Sequence, residues 1–530
     1  MTKNGQGWWF MATTDTASSP LASIELRLRY LLPADLYAAT WVDPSSENLT
    51  RVFEHLRTLQ RILYDYVPRQ VAEILPEPGK LLYEWQEGAL MFTDMAGFTK
   101  LVEASARLGK AGADALLGLL NDYFSSMLEI VSKSGGNLLE FTGDAMLIQF
   151  PASRRQNETA QAVRAGLRMQ RAMQRFENIE TEAGSFVIAQ RVGIHSGRFF
   201  TAYIGTPRRM EHALLGTDVQ IAKRAEAGGE KGRVNLTPEA YERVTEEFRF
   251  EEGAAGQRLV VDDFSEEELG EYELSTQRRR MPSAVLLDRS VEGLLSEIEG
   301  LVKQVEPLAS FMPNSVLNLL IETAAAREIP PDFTTPTTLF VNLIGLPEAI
   351  DNAKPEEEAH IVTAFSRTFS RINAAVEARG GIVKRVTYHL SGSDLLIVFG
   401  IPASHTDDPQ RAASAALAIR DIIADVAESP PTVGGKDIEI STQIGMALGE
   451  AFVAEIGELR GRREFNLHGD SVNVAARLMG KAVGNRILIT EAVKDAIHEK
   501  FEVDSLGAMP LKGKSSRLPI YALVGPREGA

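Results

Sequence analysis

The sequence predicts an α+β fold built twice, two sheet-and-helix domains in tandem. Three observations predict it. An apolar strand runs into FTDMAGFT at 92–99, and a counterpart, FVNLIGLPEA, lies at 340–349. Each is followed by a hairpin pattern, SGGNLLEFTGDAMLIQF at 134–150 and RGGIVKRVTYHLSGSDLLIVFG at 379–400. The likeness extends upstream, where YDYVPRQVAEIL at 64–75 matches SFMPNSVLNLL at 310–320 with Pro68 and Pro313 in register. A repeat of about 250 residues is too long for a solenoid. It reads as a duplication whose copies pair across a pseudo-two-fold axis.

Taken in order, residues 1–20 read as disordered, being rich in Thr, Ser, Asp and Gly without periodicity. Residues 21–80 read as helices, with apolar spacing at Leu56, Leu59, Leu63 and Val67. Pro68 and Pro313 stand near helix starts, where the missing N–H costs nothing. The first domain is expected over 86–275, after a leader over 1–85. Within it GALMFTDM is a buried strand. Leu116, Leu120, Phe124, Leu128 and Val131 mark a helix over 111–133 that ends at Gly135-Gly136. NLLEF and AMLIQF are hairpin arms joined through Thr142-Gly143-Asp144. The order strand, helix, hairpin, helix, strand is a ferredoxin-like layout with a sheet packed on helices. The charged blocks VDDFSEEELGEY and TQRRRMPS mark the domain's exit. A linker over 276–335 is helical at 290–327 and ends in the extended IPPDFTTP, and the second domain follows over 336–527.

Composition narrows the function classes. The 530 residues are 44% hydrophobic and 24% charged, an ordinary globular balance. A net charge of −16 argues against a general binder of nucleic acid or of membrane surfaces. Without cysteine there is no disulfide framework and no thiolate metal site. No apolar run reaches the roughly 18 residues of a membrane span, and the first residues lack a signal-peptide layout. The expectation is a soluble, cytoplasmic chain, a monomer with an internal pseudo-two-fold.

The chemistry concentrates where the copies differ. Asp94 faces Asn342 and Asp144 faces Ser393, so only the first copy keeps both carboxylates. Adjacent strand ends bring these two acids to one edge. Mg²⁺ prefers oxygen ligands and takes one or two carboxylates together with substrate phosphates. Two such ions activate an attacking hydroxyl and hold a triphosphate in line. The carbonyl of Met95 is a further candidate ligand. Gly97 lets the chain turn, and the N–H groups through Phe98 and Thr99 at a helix start face the phosphates. The ordinary reading makes Asp94 a helix cap and Asp144 a turn aspartate. The second copy holds NLHGDSVNVAARL at 466–478, with Asn473 and Arg477 one helical turn apart. Arg neutralises charge developing on a phosphoryl group, and Asn orients a ribose. The ordinary reading is a surface Arg and a helix-interior Asn. Lys512 and Lys514 are candidate contacts to the outer phosphates, or simply solvated lysines. Opposite losses in the two half-sites predict one composite site and one degenerate twin.

Together FTDMAGFT, FTGDAML and GDSVNVAARL resemble the class III nucleotidyl cyclases, most of all the tandem catalytic core of the soluble, bicarbonate-responsive adenylyl cyclases. The resemblance covers both domains and the leader helices. It implies conversion of a nucleoside triphosphate, ATP favoured over GTP, to a 3′,5′-cyclic nucleotide and pyrophosphate. Asp94 and Asp144 are then ligands of two Mg²⁺ ions, with Mn²⁺ a possible substitute. Asn473 positions the ribose, and Arg477 stabilises the transition state.

The base readers depart from the family's Lys with Asp or Thr. Asn466 takes the second position. Arg385 takes the first if the longer hairpin of the second copy is allowed for, and His389 if it is not. In the degenerate half the family's bicarbonate-binding Lys and Arg fall on Glu140 and Lys223. A carboxylate there repels an anion or pairs with Lys223. Gln220 replaces the Asn, and Arg224 stands near the family's arginine. That pocket is expected to be regulatory, taking a small-molecule or anion effector, or silent. Two other readings compete: a nucleotide- or anion-sensing module without turnover, and another two-carboxylate transferase. The latter lacks the GG[DE]EF-like hairpin that a diguanylate cyclase would show.

Overall fold

A computed structural model of the chain describes residues 21, 24–154, 156–270, 286, 288–324, 329–458, 461–512, 514 and 516–527. The segment expected to be disordered, 1–20, lies outside the described residues, as does the block at 276–283. The leader folds as helices, the longest being α1 (Ser46–Tyr66). Its stripe of Leu49, Val52, Phe53, Leu56, Leu59 and Leu63 is fully buried, the helical spacing that the sequence carries.

The first domain opens on β1 (Leu82–Ala96), four residues before the expected boundary. Then come α2 (Phe98–Ala106), α3 (Gly109–Lys133), the hairpin β2 (Asn137–Thr142) and β3 (Ala145–Pro151), and α4 (Glu158–Met173). The long β4 (Ala189–Thr206) turns into β5 (Arg209–Leu215) and leads to α5 (Thr217–Ala227). Three short strands complete it, β6 (Val234–Leu236), β7 (Phe250–Glu252) and β8 (Arg258–Val260). The sheet order is β2-β3-β1-β4-β6-β8-β7, with β5 beside β4. Its first four strands are the ferredoxin-like core. The β5 arm and the last three strands carry no pattern strong enough to be read in advance.

The linker holds α6 (Val291–Ala309) and α7 (Asn314–Thr323). Pro313 caps α7 and Pro68 caps the short helix Arg69–Glu73, so the two prolines are equivalent in space as in sequence. IPPDFTTP yields β9 (Asp332–Thr334), an edge strand pairing with the second domain. That domain follows the same plan: β10 (Thr337–Ile344), α8 (Pro355–Glu377), β11 (Ile382–Tyr388), β12 (Ser393–Phe399) and α9 (Asp408–Glu428). After these come β13 (Ser441–Leu448), β14 (Ala451–Gly457), β15 (Arg463–His468) and α10 (Asp470–Met479). It closes with β16 (Ile487–Thr490), β17 (Phe501–Met509) and β18 (Leu518–Pro526). The main sheet runs β11-β12-β10-β13-β16-β18-β17, the order of the first domain repeated.

The domains exchange arms. Phe200, Ala202, Ile204 and Leu215 of the first sit in one apolar core with Phe365 and Phe369 of the second. Phe452, Ala454 and Ile456 of the second sit with Phe124 and Met127 of the first. Fully burying an aromatic or branched side chain contributes about 2 kcal/mol, so these arms hold the pairing firmly. The leader and linker helices share a third core with Phe340, Leu467 and Leu478 of the second domain. Arg27 and Glu306 join leader to linker through two hydrogen bonds of 2.6 and 2.7 Å. Among the described residues no helix is long and apolar enough to cross a membrane.

Candidate active site between the two domains

Asp94 lies near the end of β1, and Asp144 at the tip between β2 and β3, both half-buried. β1 and β3 are antiparallel neighbours, which brings the two carboxylates to the same sheet edge. Burial, and then the charge of Asp94, push the Asp144 carboxyl up to about 8. Arg191 stands opposite Asp94 on β4 and donates to it, and also pairs with Glu226 at 3.0 Å. Lys223 pairs with the other oxygen of Glu226 at 2.9 Å. These two cations stand against Asp94, Asp144 and Glu226, and the carboxylate oxygens of the two aspartates are the donor type that a hard divalent cation takes. Met95 is buried, one residue beyond Asp94.

The turn that follows requires glycine. Gly97 has φ 98°, and a Cβ there would stand 2.4 Å from the Val187 carbonyl oxygen. It caps α2, so Phe98 and Thr99 begin that helix beside the acids. Phe98 is buried with its ring edge-on to His468 of the second domain, centroids 5.4 Å apart. Burial pushes His468 down to about 3, so its ring is neutral there.

The second domain reaches this turn through α10. The Asn473 amide donates to Thr99 Oγ1 at 3.2 Å. Arg477, one turn later, is half-buried and has no ion partner among the described residues. Asn466 is buried and donates from its amide to the Gly143 carbonyl at 3.4 Å, beside Asp144. Its own carbonyl accepts from the Leu467 N–H at 2.9 Å. The structure therefore sets Asn473 against Thr99 and Asn466 against Gly143 across the domain boundary, with Asp94 and Asp144 on the adjoining sheet edge.

Arg385 is less free than the sequence implies. Its guanidinium pairs with Glu464, lies 3.8 Å from Glu140 and donates to the Phe141 carbonyl at 3.1 Å. Both hairpins carry a register shift at the same place, between Leu138 and Glu140 and between Val383 and Arg385. Matching the two irregularities sets Arg385 against Glu140. The extra residues of the second hairpin then fall in the loop that holds His389. Lys514 pairs with Asp470 at the start of α10 and lines a groove of about 370 Å³ that reaches Val102 and Glu103 of α2. Lys512 is exposed.

The pairing of Glu140 with Lys223 that the sequence offers is not the one formed. Glu140 does not pair with Lys223; it faces Arg385, while Lys223 turns to Glu226 and lies over the Phe92 ring at 5.3 Å. Gln220 donates to Glu348 at 2.6 Å. Arg224 is exposed at the end of α5. Sequence reasoning missed Arg191, Glu226 and Glu348. Arg191 and Glu226 are ordinary residues of a strand and a helix; cross-strand register sets Arg191 beside Asp94, and α5 brings Glu226 to Arg191. Glu348 carries one signal, its place three residues after Gly345, the counterpart of Gly97.

The family model for the adenylate and guanylate cyclase catalytic domain matches residues 83–261 and again 332–525. Adenylate cyclase type 10 of Homo sapiens is 25% identical over 413 residues, covering 76% of this chain and 24% of that protein. The Mus musculus protein of the same name is 24% identical over 463 residues, covering 83% and 26%. The chain thus spans about a quarter of the length of these curated relatives. A crystal structure of a class III adenylyl cyclase-like ATP-binding protein from Pseudomonas aeruginosa shares the fold. It matches with a TM-score of 0.52 at 15% identity over 84% of this chain and 93% of that one. With both domains matched and the same sheet order in each, this chain belongs to the class III cyclases, carrying two adenylate and guanylate cyclase catalytic domains in tandem.

Proposed function

We propose that the chain is an adenylyl cyclase with a single composite site, converting ATP to 3′,5′-cyclic AMP and pyrophosphate. The observation that carries this reading is the Asn473–Thr99 hydrogen bond, which joins the ribose-side helix of one domain to the phosphate-side turn of the other. Asp94 and Asp144, with the Met95 carbonyl, are the residues that would hold two divalent cations, Mg²⁺ or Mn²⁺. Bound there, such ions lower the pKa of the 3′-hydroxyl and neutralise charge on the triphosphate. The protein's own residues do the rest. The N–H groups from Gly97 to Thr99 face the outer phosphates at a helix start, with Lys514 and Lys512 on the far side of the cleft. Asn473 orients the ribose so that the 3′-oxygen stands in line with the α-phosphorus. As the 3′-oxygen bonds to phosphorus and the bond to pyrophosphate breaks, Arg477 meets the charge on the transferring phosphoryl group. Arg385 and Asn466 are the base readers, Arg385 donating to the ring nitrogen and the Asn466 carbonyl accepting from the amino group. Reading adenine requires both to leave protein partners, Glu464 for one and the Leu467 N–H for the other.

That requirement favours a second reading, a nucleotide-binding module without turnover. One experiment separates them: cyclic nucleotide formation by the purified chain with ATP or GTP, in Mg²⁺ and in Mn²⁺, with and without bicarbonate. Cyclic AMP from ATP supports the cyclase, and preference for GTP reassigns the base readers. ATP binding with no product in either metal supports the silent module. Glu140 in place of the family's lysine supports a rate indifferent to bicarbonate.

A further inference from the structure

The degenerate half already contains an anion, and it is the protein's own. Glu348 follows β10 on a short turn, Glu348–Asn352, and its carboxylate accepts three hydrogen bonds. The Gly345 N–H donates to one oxygen at 2.8 Å. The Gly392 N–H donates to the other at 2.6 Å, and the Gln220 amide joins it at 2.6 Å. Each donor has a counterpart in the composite half: Gly97 for Gly345, Gly143 for Gly392 and Asn473 for Gln220. Gly345, like Gly97, holds a positive φ under a carbonyl that a Cβ would strike, so the two turns share that backbone conformation at the glycine. In the composite half these donors surround the cleft assigned to the triphosphate. The residue matching Glu348 there is Lys100, which is exposed and opposite in charge.

The same turn sends a second carboxylate across the interface. Asp351 accepts from the Thr217 N–H at 2.8 Å, at the start of α5. The first-domain helix that would face a nucleotide in this half is therefore covered at its N-terminus and at Gln220 by acids of the second domain. Asn342 and Ser393 supply no metal-binding carboxylate to offset them.

We propose that Glu348 is an internal ligand: its carboxylate fills the anion subsite of the degenerate half and confines polyphosphate to the composite half. This rests on the reading of the composite half as the nucleotide site. Removing the carboxylate frees three donors that converge on one point, a ready subsite for a phosphate group.

The test is binding stoichiometry on the full chain, with 2′,3′-dideoxy-ATP and Mg²⁺, an analogue without the attacking hydroxyl. The background disables the composite half by Asp94→Asn, Asp144→Asn and Asn473→Ala. With Glu348 present this background binds no analogue. Adding Glu348→Ala or Glu348→Ser gains one equivalent, and affinity for inorganic pyrophosphate rises at least about tenfold. An equivalent bound while Glu348 is intact overturns the proposal. So does the absence of any gain in both variants, with circular dichroism and thermal melting confirming that they remain folded. Failure of the reading of the composite half as the nucleotide site appears separately, as loss of the single equivalent expected of the unmodified chain. The gain on removing Glu348 is scored independently of that result.

Discussion

Arg477 is a half-buried guanidinium that the fold leaves without an ion partner among the described residues, on the same helix face as an Asn that crosses to the other domain. In the proposed cyclase a group kept free in this way is available to meet developing charge. Arg477→Ala should lower kcat by about 10²- to 10³-fold with KM little changed. Steady-state kinetics on the folded variant check this, and a change confined to KM would remove its transition-state role. Asp144 makes the complementary case. Burial and the charge of Asp94 disfavour its carboxylate, so Asp144→Asn should abolish product while leaving the thermal melt unchanged or raised. A variant that melts lower and still turns over would sink the assignment. The sequence singles out Asp94, Asp144, Asn473 and Arg477 because each belongs to a pattern whose residue types the proposed chemistry needs, and the fold sets Asn473 of that group against Thr99. Arg191 was not legible: an arginine on an alternating strand is ordinary until register sets it against Asp94.

At the scale of elements, the hairpins were readable from their alternating apolar arms, and the irregularities within them were not. A register shift depends on the partner strand, so the sequence left Arg385 and His389 as alternatives. The structure gives Arg385 a costly setting. It sits with Lys384 and Glu464 in a buried ionic group, with Lys384 3.2 Å from the same Glu464 oxygen. Truncating the shared carboxylate leaves two cations without it. Glu464→Ala should destabilise the chain by about 3–5 kcal/mol, and adding Arg385→Ala should recover part of that. Urea unfolding of the two variants and the double variant measures the coupling. Strictly additive losses would show that the pair does not act as a unit. The β5 arm and the short strands β6 to β8 escaped the sequence reading for a related reason, since their apolar faces pack on the other domain or on short neighbours.

For the whole molecule, the duplication was legible because two copies of one motif set rarely arise apart, and the arm exchange was not, because it depends on which faces meet. Its consequence is that buried groups at the interface answer to pH together. His212 lies on the exchanged β5 arm and His468 against Phe98; burial pushes them down to about 4 and about 3. A histidine with a depressed folded pKa is neutral in the fold and takes a proton near 6.5 once unfolded. Its contribution is therefore fully present above pH 6.5 and is lost as the pH falls toward the folded value. At pH 5 each histidine should cost about 2 kcal/mol relative to pH 7.5, from 1.36 kcal/mol per pKa unit. Asp394, whose carboxyl burial pushes well up, opposes this by favouring the fold as pH falls. The informative comparison is thus between parent and variant, not the parent's slope alone. His212→Leu should flatten the fall in urea-unfolding stability between pH 7.5 and pH 5 by about 2 kcal/mol. Parallel slopes for parent and variant would mean that His212 takes a proton in the fold as readily as in the unfolded chain, and that the interface is wetter than its burial implies.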